Sequence, residues 1–160
     1  MHSVLRTVTL GLVLATAAAS TITLSAQASD PAIGTWKLNL TKSKYDPGPA
    51  PKSLTLKYDA WDRGIKLTAD GVDAEGKPTH SEFAARFDGK DYPWKGNPNA
   101  DTIALKRIDD YTIESVWKKG GKVTTTSRTV ISRDGKTRTI TQRGKDAQGR
   151  DVNNSLLCER

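Results

Sequence analysis

Chemistry needs side chains that carry protons, metals or nucleophiles, and here these are few. The 160 residues hold two histidines, His2 and His80, and one cysteine, Cys158. His2 lies in a segment read below as removable. That leaves His80 alone and excludes a multi-histidine zinc or copper site within one chain. No Gly-x-Ser-x-Gly elbow is present for a serine hydrolase. His80, Glu82 and Arg86 share one face of a strand-like run and are able to form an acid–base group. They oppose Phe83, Ala85 and Phe87, so the same pattern also describes an outward, solvated stripe. Asp70, Asp73 and Glu75 crowd one turn without the spacing of an EF-hand loop. Cys158 has no partner for an internal disulfide and reads as a small buried hydrophobe. No catalytic set, metal site or cofactor is expected.

The elements that must position any site are strands. Apolar and polar residues alternate at period two, and no run of twelve shows a helical stripe. Leu54, Leu56 and Tyr58 share one face, as do Ile65, Leu67 and Ala69, then Phe83, Ala85 and Phe87. Counting such runs predicts nine or ten strands, at 33–38, 53–59, 64–70, 78–87, 91–94, 102–108, 111–118, 122–132, 136–142 and 151–158. Between many of them sits glycine followed by a cation: EGK (75–77), DGK (88–90), GGK (120–122), DGK (134–136) and QGR (148–150). Glycine supplies the positive φ of a tight hairpin turn, and the cation stays in water. Short strands with tight turns predict an all-β fold, an antiparallel up-and-down barrel of about 8–10 strands in a single domain. A two-sheet sandwich is the alternative, but it usually needs longer crossovers. Two connections are not tight. Residues 39–52 carry three prolines and Tyr45, and residues 90–101 carry two prolines, Tyr92 and Trp94. They are expected either to form a binding mouth or to plug one barrel end with their own rings.

The N-terminal segment reads as an address. Arg6 precedes an apolar stretch, Val8–Ala19, that is short for a bilayer span, and Ala26–Ala28 offers small residues to a signal peptidase. Cleavage after Ala28 is expected, with residues 29–160 exported to the periplasm or secreted; an uncleaved membrane anchor is the alternative. The formal net charge of +7 is spread along the chain, without a dense basic block. It predicts a solubilising surface, no nucleic-acid partner, weak contact at most with anionic envelope lipids, and a monomer.

The triplet Gly34-Thr35-Trp36 on the first strand resembles the Gly-x-Trp of lipocalins. The stretch GGKVTTTSRTVISRDGKTRTITQRG (120–144) is similar to the late strands of fatty-acid-binding proteins. The chain thus resembles the calycin group, and most nearly its small secreted bacterial lipocalin-like members. The resemblance implies a lipocalin-like barrel around a small amphipathic or lipophilic ligand. Two departures are visible: the proline-rich loop stands where fatty-acid-binding proteins insert a helix pair, and their C-terminal Arg-x-Tyr is missing from the ending LLCER. Arg128 matches the family's late-strand arginine. If it faces inward it would hold an anionic head group, and if outward it is solvated. Tyr58, Phe83, Phe87, Trp94, Tyr111 and Trp117 are the aromatic candidates for the ligand wall, with Trp36 sealing the closed end. Inward-facing Thr125, Ser127, Thr129, Thr137, Thr139 and Thr141 would make the lumen polar; outward, they express only strand propensity.

Three functions fit this reading: a ligand-binding barrel, a structural or stress-related envelope protein with a filled barrel, or a metal-free isomerase or lyase using His80 or a buried carboxylate.

Overall fold

The computed structural model describes residues 30–160, so the expected export segment lies outside the described residues. Ten strands follow one another: β1 (Gly34–Lys44), β2 (Ser53–Trp61), β3 (Gly64–Val72), β4 (Pro78–Arg86), β5 (Asp88–Lys95), β6 (Thr102–Asp109), β7 (Thr112–Lys119), β8 (Lys122–Ile131), β9 (Thr137–Lys145) and β10 (Asp151–Glu159). Each pairs antiparallel with its neighbours in sequence, and β1 pairs with both β2 and β10, which closes the barrel. Closure removes every exposed sheet edge. The fold is the expected all-β up-and-down barrel, and no helix occurs among the described residues.

The turn chemistry follows the sequence. The glycines preceding the five cations take φ between +68° at Gly135 and +92° at Gly76, the region where a side chain is strained. Gly64 is different, because it is needed for close approach. A Cβ there would fall inside contact distance of the Ala85 carbonyl oxygen across β3 and β4. A backbone atom cannot swing aside as a side chain can, so Gly64→Ala is expected to cost about 1–3 kcal/mol, read as a lower urea midpoint.

Two strand boundaries differ from the periodic reading. β1 runs to Lys44 by way of a bulge between Asn39 and Lys44, inside the stretch expected to be loop. Polar side chains repair the bulge. Ser43 Oγ donates to Asn39 O at 2.6 Å and accepts from Leu157 N at 2.9 Å, while Asn39 Oδ1 accepts from Lys42 N at 3.1 Å. β5 begins at Asp88 and includes Pro93, so the irregular connection shrinks to residues 96–101. Its pairing with β4 is sparse, Glu82 with Lys95 and Phe83 with Trp94, which gives a proline room in the strand.

Alternation sorts the side chains. Leu56, Tyr58, Ile65, Leu67, Phe83, Ile103, Leu105, Ile113, Ile140 and Leu156 are buried within the barrel. One end is sealed. Trp36 is fully buried, with the Arg160 guanidinium 4.3 Å from its ring centre. The Arg160 Nη2 donates to Pro31 O at 2.8 Å and Ile33 O at 2.7 Å, tying the chain before β1 across the barrel floor. Arg107 adds a 2.6 Å ion pair to Asp30, whose Oδ1 also caps Ala32 N at 2.9 Å.

Candidate functional site

Above this floor lies a cavity of about 180 Å3. One side is aliphatic, built from Leu56, Leu67, Ile103, Leu105 and Ile140. Another is an edge-to-face chain of rings, Phe83 to Trp94 at 5.2 Å and Trp94 to Trp117 at 4.9 Å between centroids. Such contacts fix ring orientation as well as burying area. A third strip is polar: Ser115, Ser127, Thr129 and Gln142 on β7, β8 and β9. Trp117 Nε1 is satisfied by Ser115 Oγ at 2.9 Å, whereas the buried Trp94 Nε1 has no hydrogen-bond partner.

The end opposite Trp36 is a mouth. Its space of about 500 Å3 is lined by Pro47, Pro49, Pro51, Asn97, Pro98 and Asn99, and it shares Leu54, Ser81, Trp117, Gln142 and Leu156 with the cavity below. The two spaces therefore adjoin across these side chains. Both loops are tied down by hydrogen bonds to neighbouring strands and turns. Asp46 N donates to Asn154 Oδ1 at 2.9 Å, and Asn153 N donates to Asp46 O at 2.7 Å. Asn99 Oδ1 accepts from Ala147 N at 2.9 Å, and Asn99 O accepts from Thr124 Oγ1 at 2.9 Å. Prolines stiffen a loop before any ligand arrives, which reduces the ordering cost of binding.

Of the residues read from sequence as wall candidates, Tyr58, Phe83, Trp94 and Trp117 line the cavity. Phe87 and Tyr111 do not. Both pack half-buried at the sealed end, with Arg107 stacked 4.3 Å over Phe87 and Arg133 4.2 Å over Tyr111. Arg128 is on the outer surface, in a 2.5 Å ion pair with Glu114 on the neighbouring strand. The reason is parity: Ser127 and Thr129 face inward, so the residue between them faces out. The threonines divide by the same rule. Thr125, Ser127 and Thr129 are buried, while on β9 it is Arg138, Ile140 and Gln142 that point inward and Thr137, Thr139 and Thr141 that do not. His80 also faces out, its Nδ1 2.6 Å from Asp70 Oδ1 with the ring more than half exposed. No aspartate or glutamate lines the cavity among the described residues, and His80 faces outward, so the His80–Glu82–Arg86 group does not assemble in the lumen.

Arg138 is the charged cavity residue that the sequence reading did not single out. It is 1 % exposed, at the base of the cavity, in register between Ile131 and Cys158. Its guanidinium lies 3.7 Å from the Tyr58 ring centre and 5.7 Å from that of Trp36. Nη1 donates to Ala32 O at 3.2 Å, and Nε has no partner. Burial pulls its pKa downward, yet a guanidinium keeps its charge at neutral pH. The signal was present in KTRTITQ: Ile140 marks the inner face, and Arg138 stands two residues before it.

Cys158 is fully buried beside it, and burial pushes the thiol up to about 11. The unfolded chain releases this proton nearer pH 9, the ordinary value given for this thiol. Between these limits the folded state holds more protons, so stability falls as pH rises through that window. The loss is about 2–3 kcal/mol at most. Cys158→Ala should show a shallower decline between pH 9 and 11 by urea unfolding. In the wild-type protein, thiol reagents should react at pH 8 only after denaturation.

No protein-family model matches this chain, and no curated protein matches it significantly.

Proposed function

We propose that this protein is an exported, lipocalin-like binding barrel that sequesters or ferries a small amphipathic or lipophilic molecule. The observation that carries the reading is the one-ended cavity: apolar and aromatic walls, a sealed floor at Trp36, and a mouth rimmed by anchored loops. Pockets of this kind, mostly apolar with a few convergent polar groups, are how folded proteins take up small molecules. The resemblance of Gly34-Thr35-Trp36 to the lipocalin triplet supports the same reading and adds the periplasm or the exterior as its place of work. A filled envelope barrel would need side chains in the space that the cavity occupies, and the isomerase or lyase read from the sequence would need His80 or a carboxylate in the lumen. Acting as a monomer is consistent with a barrel that leaves no sheet edge to pair.

The test is direct. The purified mature protein would be examined by native mass spectrometry for a retained small molecule, and by Trp94 and Trp117 fluorescence during titration with a lipophilic dye. A bound mass or a saturable, competed fluorescence change is expected. No retained mass together with no response to dye would overturn the carrier reading.

A further inference from the structure

Resting on that carrier reading, we propose that the ligand is a small monoanion, a short-chain or single-ring carboxylate, bound head-down with its charge against Arg138. A buried cation ordinarily has a carboxylate partner, because dehydrating it alone is costly. Arg138 has none. The nearest acid on the floor, Asp30, spends its oxygens on Arg107 and Ala32 N. Tyr58 and Cys158 both have their pKa values raised by burial, so both are neutral at pH 7. What the protein supplies to the guanidinium is two aromatic faces and one carbonyl, and Nε is left without an acceptor. A guanidinium 1 % exposed, lining a cavity, with no carboxylate partner and no acceptor at Nε, is a site short of one anion.

The charge count limits the head group. Arg138 is the one cation lining the cavity among the described residues, and Arg160 and Asp30 beneath the floor act on it with opposite signs, so one negative charge is matched and a dianionic phosphate would leave a net charge buried in the lumen. A planar carboxylate matches the guanidinium fork. The volume limits the tail. An apolar cavity of about 150 Å3 takes up a benzene-sized molecule, so this lumen of about 180 Å3 accepts a ring or a short alkyl chain. The Phe83–Trp94–Trp117 wall suits either, and a long acyl chain would have to leave the apolar lumen for the more open mouth among Asn97, Asn99 and the prolines.

The folded protein would be titrated at pH 7 with octanoate and 3-phenylpropionate, with their neutral analogues octanol and 3-phenylpropanol, and with hexadecanoate, following tryptophan fluorescence and heat. Each short carboxylate is expected to bind at least about tenfold tighter than its alcohol, since a charge-assisted hydrogen bond exceeds a neutral one. Arg138→Met should bring that ratio to about one, and Arg138→Lys should retain most of it. The carboxylate–alcohol comparison on wild-type protein decides the matter even if a variant fails to fold. Alcohols binding as tightly as carboxylates would overturn the anion assignment and leave the carrier reading standing. Hexadecanoate binding more than tenfold tighter than octanoate would overturn the short-ligand assignment. Failure of every probe, together with no retained mass and no dye response, would remove the carrier reading and this proposal with it.

Discussion

Replacing Trp36 with alanine is expected to lower the stability of the barrel by about 3–5 kcal/mol, the range for deleting a large buried aromatic side chain. The upper part of that range applies. Trp36 is fully buried, and both Arg160 and Arg138 stack towards its ring. Truncation opens a void and also deprives two guanidinia of the face that offsets their dehydration. The midpoint of thermal unfolding should fall by about 10 °C or more. A loss below about 1 kcal/mol would mean that Arg160 and the residues before β1 seal the floor without the indole. Trp36→Phe, which keeps a smaller ring, should recover a substantial part of the loss.

The second large effect has the opposite sign. Arg138→Met is expected to raise the stability of the unliganded protein by about 1–3 kcal/mol, seen as a higher urea midpoint with an unchanged slope. Methionine fills much of the same volume and has no charge to dehydrate. What it forfeits is the stacking on Tyr58, worth roughly 2 kcal/mol when desolvated, and one hydrogen bond to Ala32 O. An isolated buried ion in a low-dielectric interior costs several kcal/mol, more than those two contacts return. A destabilisation above about 1 kcal/mol would show that the aromatic faces outweigh the dehydration. Stability given up at one buried residue is the usual mark of a functional position.

Most of the architecture was legible because a barrel strand has one wet and one dry face. Leu56 and Tyr58, or Ile65 and Leu67, announce their inner face by period two alone, and each glycine–cation pair announces a turn. The site was harder to read, for two physical reasons. On β8 and β9 the inner face is partly polar, so hydrophobicity does not declare which parity points inward. Arg128 sits between Ser127 and Thr129 and Arg138 between Thr137 and Thr139, and only the lone Ile140 in KTRTITQ distinguishes them. Phe87 and Tyr111 have the correct parity for the interior, but they stand at strand ends below the cavity, and height along a barrel is set by register. Register depends on bulges, such as those at Asn39–Lys44 and in β5, that alternation does not reveal.

The closure of β1 on β10 carries a consequence for how the chain reaches this state. Nine of the ten strand pairings join neighbours through short hairpins or a single loop, and each is a local event that can begin anywhere along the chain. The tenth joins Asn39 to Leu157 and Asn39 Nδ2 to Glu159, across a separation of 120 residues. Its entropic cost grows only logarithmically with that separation, but it falls on a single step. Loop closure thus makes the β1–β10 seam the costliest of the ten pairings to form first. Ser43→Ala, which removes a contact at that seam, is expected to slow folding measured by stopped-flow fluorescence, and an unchanged folding rate with faster unfolding would place closure after the rate-limiting step.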